Sequence, residues 1–211
     1  MSKFNKYATK LDIIARNAFS QFEKAEKRER EAQGKMKKYP QRSGIVTPEY
    51  QAEQAKATAE YYDSKMAMNK IKQNVPPQAM KEAQELRSEL EKAVFDTFSP
   101  KPSAVDMQTM ELLKNDILKD REYLHMVKNA LQNENYTMAR IIGQYAEQKA
   151  NSLPQQDGII LREAATIGKQ DFGAVYLQSF DNMIDIMNRC LNNSGIMDRW
   201  GEFTRDSVEG F

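Results

Sequence analysis

Apolar residues recur at steps of three and four along nearly the whole chain, and no segment alternates polar with β-branched residues. Such periodicity predicts an all-α protein built from long amphipathic helices. The first helix is expected from about Lys3 to Tyr39, with Phe4, Tyr7, Leu11, Ile14, Ala18, Phe22 and Ala25 forming a narrow stripe. Beyond Ala25 the stripe thins to Ala32, Met36 and Tyr39, within and after the charged run Glu26-Lys27-Arg28-Glu29-Arg30-Glu31. A helix of that span would be about 55 Å long, more than a compact domain of this size is wide. Part of it is therefore expected to project or to pair with another chain.

Pro40 to Pro48 reads as a linker, and Thr47-Pro48-Glu49 as an N-cap followed by proline in the first turn. The second helix, to about Gln73, carries Ala52, Ala55, Ala59, Tyr62 and Met66 at heptad spacing, which would let a partner helix approach closely. Tyr50, Ala57, Tyr61, Met68 and Ile71 form a second stripe beside the first, so neighbours on two sides are expected. Val75-Pro76-Pro77 predicts a break, because the residue before proline avoids helical geometry. A third helix to about Phe98, with Ala83, Leu86, Leu90, Ala93 and Val94 facing inward, would then pair with the second as an antiparallel hairpin.

After Ser99-Pro100-Lys101-Pro102, Ser103 and Asp106 suggest a capping-box start for a fourth helix. Met107, Met110, Leu113, Ile117, Leu124, Val127 and Leu131 keep a heptad step there, interrupted only by Asp120, which predicts one continuous coiled-coil-like helix. Asn133-Glu134-Asn135 turns into a fifth helix over about 136–151, and a longer connection around Pro154 leads to a short helix ending near Ile167. A final helix over about 171–191 has a broad apolar face of Phe172, Val175, Tyr176, Phe180, Met183, Ile184 and Met187. The segment from Ala130 to Ala139 is similar to the turn of a tetratricopeptide-type helix pair, with a weak echo from Gln170 to Val175. Two copies lacking the characteristic Trp and Gly positions read as a helical hairpin and imply no family.

The expected architecture is an elongated multi-helix bundle of antiparallel helical hairpins with a long N-terminal coiled-coil-like helix. Three segments are expected: a basic arm over residues 1–42, a bundle body over 43–195, and an amphipathic tail over 196–211. Charge supports the first boundary. The net charge of the whole chain is only +1, yet residues 1–42 hold 12 Lys and Arg against 5 Asp and Glu. No apolar run approaches a membrane span, and the first residues lack the core of a signal peptide, so a cytoplasmic protein without membrane contact is expected.

Candidate chemistry is sparse. With Cys190 alone there is no internal disulfide and no cysteine zinc site. Glu122 and His125 have the spacing used in di-iron carboxylate bundles, but such a site needs a second pair, and His125 is the only histidine. Phosphate loops, dinucleotide fingerprints and serine elbows are absent. Glu82, Glu85 and Glu89 share a face as solvated charge. No enzyme, metal, cofactor or small-molecule ligand is predicted.

What remains is assembly: a helical structural or scaffolding protein that self-associates or bridges partners in a larger assembly, such as a phage particle or its scaffold. The expected oligomer or partner contacts are Phe4, Tyr7, Leu11, Ile14 and Phe22 on the first helix, and Ile196, Trp200 and Phe203 in the tail. The alternative is a nucleic-acid-associated protein that uses segment 24–42. There Lys27, Arg28, Arg30, Lys35, Lys37, Lys38 and Arg42 would contact phosphates.

Overall fold

The computed structural model describes residues 3–40, 46–193 and 200–201. Among these there are seven α-helices, one short 3-10 turn and no strand, so the fold is all-α. The helices are α1 (Asn5–Lys38), α2 (Pro48–Phe98), α3 (Met107–Lys114), α4 (Asp120–Gln132), α5 (Tyr136–Asn151), α6 (Ile159–Lys169) and α7 (Phe172–Asn192); the 3-10 turn is Pro102–Ala104. Contacts divide the chain into two compact units. One comprises Met1–Leu90 with Leu177–Phe211, the other Glu91–Tyr176. Of the basic segment, the described residues 3–40 thus share a unit with most of α2 and the C-terminal part of α7.

In the first unit α1 folds back along α2 and does not stand free. Lys10 faces Glu89 at 3.8 Å, Lys35 donates to Glu60 at 2.8 Å, and the rings of Tyr39 and Tyr50 meet edge to face. The falling partner number along α2 defines an antiparallel hairpin. Phe4, Tyr7, Leu11, Ala15, Phe19 and Phe22 of α1 are buried, as are Ala57, Ser64, Met68, Val75, Ala79, Ala83, Leu86 and Leu90 of α2. The expected hairpin between residues 48–73 and 78–98 is replaced by this one, because α2 continues unbroken through Pro76 and Pro77 for 51 residues. Each proline deletes one helical N–H bond, which costs about 3 kcal/mol in an exposed helix interior. The carbonyls so released belong to Lys72 and Gln73, whose residues are exposed, while Val75 and Ala79 are buried on either side. Burial across the prolines therefore outweighs their local cost, and the freed carbonyls belong to residues open to solvent. At the helix start Thr47 Oγ1 accepts from the Tyr50 N–H, as the Thr-Pro-Glu sequence predicts.

In the second unit α4, α5 and α6 pack around Tyr123, Val127, Met138, Ile142, Ala146 and Leu161. The continuous helix expected over 103–131 is instead three pieces. Asp106 caps α3 itself by accepting from the Gln108 and Thr109 N–H groups, and Ser103 lies in the 3-10 turn. Residues 115–119 then break the helix, with Asp116 in the left-handed region at φ 49°. Of the residues expected inside, Met107, the first residue of α3, and Ile117, inside the break, are each 65% exposed, whereas Leu113 and Val127 of the same series are buried. Asn135 caps α5 by accepting from the Met138 N–H, and its amide donates to the Ala104 carbonyl at 2.8 Å. An aromatic cluster of Phe98, Tyr136, Phe172 and Tyr176 completes this unit, its closest rings 4.5 Å apart.

Candidate interaction surface

Where side chains could support catalysis, the described residues offer little convergence. No group of three His, Cys, Asp or Glu among them could hold a metal ion. His125 is exposed on α4. Cys190 is buried in α7, and burial pushes its thiol up, away from the thiolate that a nucleophile needs.

A polar cluster forms where the segment between α3 and α4 meets α4 and α5. Lys149 donates to Asp116 at 2.7 Å and to the Leu118 carbonyl at 2.9 Å, and its ammonium lies 5.4 Å from the centre of the Tyr123 ring. The bond from Asp116 raises the Lys149 pKa, and burial raises that of the Tyr123 hydroxyl. Lys149 and Tyr123 both hold their protons more firmly than usual at neutral pH, the opposite of what acid–base catalysis requires. The cluster ties the left-handed turn at Asp116 to α5.

Packing also settles where the expected contact residues lie. Phe4, Tyr7, Leu11, Phe22 and Trp200 are buried within the chain, and Ile14 is half-buried. Trp200 sits edge to face with Phe19 at 5.9 Å and donates to Asp12 at 2.9 Å, so its apolar surface is already covered. Ile196 and Phe203 lie outside the described residues, as does Arg42. A groove of about 330 Å³ runs between α1 and α2, floored by Ile13, Ile14 and Leu86 and rimmed by Lys10, Glu82, Glu85 and Glu89.

On the basic segment Lys27, Arg28, Arg30, Lys35, Lys37 and Lys38 are all exposed, as is Lys24. Arg30 pairs with Glu26, and Lys35 with Glu60. At about 100° per residue, Lys24, Lys27, Arg28, Lys35 and Lys38 fall on one flank of α1, where Glu31 is the one acidic residue between them.

The two stripes of α2 have opposite fates. Ala57 and Met68 are buried and Tyr50, Tyr61 and Ile71 half-buried, so that face belongs to the core. Ala52, Ala55, Ala59, Tyr62 and Met66 are exposed, with Tyr62 at 59% and Met66 at 58%. The chain thus leaves five apolar positions in heptad phase along one outer helix face, two of them large. Heptad spacing alone shows both stripes with equal force, and only the position of α1 decides between them. No described helix is long and apolar enough to cross a membrane. No protein-family model, curated protein or solved structure matches this chain.

Proposed function

We propose that this chain is a non-enzymatic helical structural or scaffolding protein that assembles through protein–protein contact, and that the outer face of α2 is the contact. The observation that carries the reading is the exposure of Tyr62 and Met66 on the same face as Ala52, Ala55 and Ala59. Isolated apolar side chains at a surface need no partner, but a heptad series on one helical face matches the seam by which helices associate. Methionine adds adaptable packing at such a seam.

Light scattering across a concentration series tests the reading. The full chain is expected to exceed its monomer mass of 24.3 kDa, and Tyr62→Glu with Met66→Glu should return it to that mass without loss of helicity. A full chain that stays monomeric at high micromolar concentration counts against self-association.

A second reading follows from the flank shared by Lys24, Lys27, Arg28, Lys35 and Lys38, which suits a row of phosphates. Its mark would be duplex binding that weakens steeply between about 50 and 200 mM salt. Binding unchanged by Lys24→Glu, Lys27→Glu and Lys38→Glu together would remove that reading.

A further inference from the structure

The flanks of the exposed α2 face carry a charge pattern that specifies its occupant. Reading Ala52, Ala55, Ala59, Tyr62 and Met66 as alternating core positions of a two-helix seam, the next core position is Asn69. One edge of the seam is then Glu49, Lys56, Asp63 and Lys70: every seventh residue, alternating in sign, all exposed. Glu60, the acidic residue one turn beyond Lys56, is already held by Lys35 from α1. Resting on the assembly reading above, we propose that the occupant is a second copy of this chain, its α2 running antiparallel across a two-fold axis, with Ala59 against the partner's Tyr62 and Ala55 against the partner's Met66.

Three features select this arrangement. Each large side chain meets a small one, so the seam fills without voids or collisions. Residues on this edge meet their own kind in an antiparallel pair, which sets Lys56 opposite the partner's Asp63 and Glu49 opposite the partner's Lys70. The two-fold axis repeats both pairs. Moving one helix by a heptad replaces them with Lys56 against the partner's Lys56 and Glu49 against the partner's Asp63. The shift in the other direction sets Asp63 against the partner's Asp63 and Lys56 against the partner's Lys70. A parallel pair would stack Tyr62 on the partner's Tyr62 and bring Lys65 beside the partner's Lys70. Of these arrangements only one is free of like-charge contacts along that edge, and it spans roughly 30 Å of helix.

Charge reversal with its own rescue tests the pairing on the full chain. Lys56→Glu places a carboxylate opposite that of the partner's Asp63, at both symmetry-related pairs, and should weaken dimerisation at least about tenfold in sedimentation velocity. Asp63→Lys should weaken it comparably, and the combination Lys56→Glu with Asp63→Lys should restore it to within about threefold of the original. All four positions are exposed, so circular dichroism should show the same helicity for every variant. An original chain that dimerises but ignores both single reversals, or a combination that fails to re-dimerise, overturns this pairing and leaves self-association standing. A monomeric original chain overturns both.

Discussion

Gly143 and Gly168 show how much a single atom decides. They meet where α5 crosses α6, and a Cβ on Gly168 would collide with the Ala139 carbonyl oxygen and press on Gly143 at 3.0 Å. Both obstacles are backbone and cannot swing away. Gly168→Ala gains up to about 1 kcal/mol of helix propensity, but the forced separation of the helices costs more. The expected net loss is on the order of 2–3 kcal/mol, read from the urea midpoint of the α4–α6 signal. Nothing in the local sequence marks these glycines, because the reason for each is the other, across a loop. The cap at Thr47 was legible, since donor and acceptor lie within three residues, and so was the turn that leads into α5, though not Asn135 as its cap. The Lys149–Asp116 bond, 33 residues apart, was not.

That bond also has a pH signature. Lys149 and Tyr123 both have folded-state pKa values raised above their unfolded ones, so each keeps its proton more tightly when folded. Their contribution is complete below the unfolded values near pH 10 and is lost as pH rises through the folded ones. Stability of the second unit should therefore fall on the alkaline side. Asp116→Asn keeps a residue that tolerates φ 49° but removes the carboxylate. It should lower the urea midpoint at pH 7 and shrink the alkaline decline between pH 9 and 11. An unchanged alkaline slope would show that the bond does not hold the lysine's proton.

At the scale of elements, α2 is where sequence and structure part most widely. Counting the half-buried Tyr61 and Ile71, its core-facing positions step by four and three from Ala57 through Ser64 and Met68 to Val75, then lengthen to successive fours at Ala79 and Ala83. The longer steps coincide with Pro76 and Pro77, and they keep one face buried through the prolines. Local rules saw the cost of the prolines and an apolar face on each side of them, but not that the two faces are one. Pro77 is exposed, so Pro77→Ala restores an N–H to the Gln73 carbonyl with no packing penalty. After allowing for the greater freedom of the unfolded chain, the gain should be about 1–2 kcal/mol in urea titration. A loss would mean that the turn is stabilised by the prolines themselves. The opposite error occurred over residues 103–131, where an intact heptad concealed the turn at Asn115 and Asp116. Periodicity reports which residues could share a face, and it does not report whether the backbone stays helical between them.

For the molecule as a whole, the uneven charge of the sequence becomes an internal arrangement. The basic first segment lies along the acidic parts of α2, with Lys10 near Glu89 and Lys35 on Glu60. Exposed pairs of this kind contribute little individually, so the hairpin rests on its buried aromatic and aliphatic side chains. Length and stripe alone could not separate a helix that projects from one that folds back, because a buried partner stripe and an unpaired one have the same spacing.

The buried position of Cys190 turns that core into something that can be timed. It is the only thiol of the chain and is 1% exposed, with its acidity further suppressed by burial. A thiol reagent can reach it only while the surrounding packing is open, so the rate of its modification counts openings without any introduced probe. In denaturant one equivalent should react at once. In native buffer the reaction should be slower by at least about a thousandfold, and should accelerate with urea as steeply as global unfolding does. A shallow dependence would instead locate a small local fluctuation at the end of α7, and the same clock, run at several protein concentrations, would report whether association of two chains slows the opening.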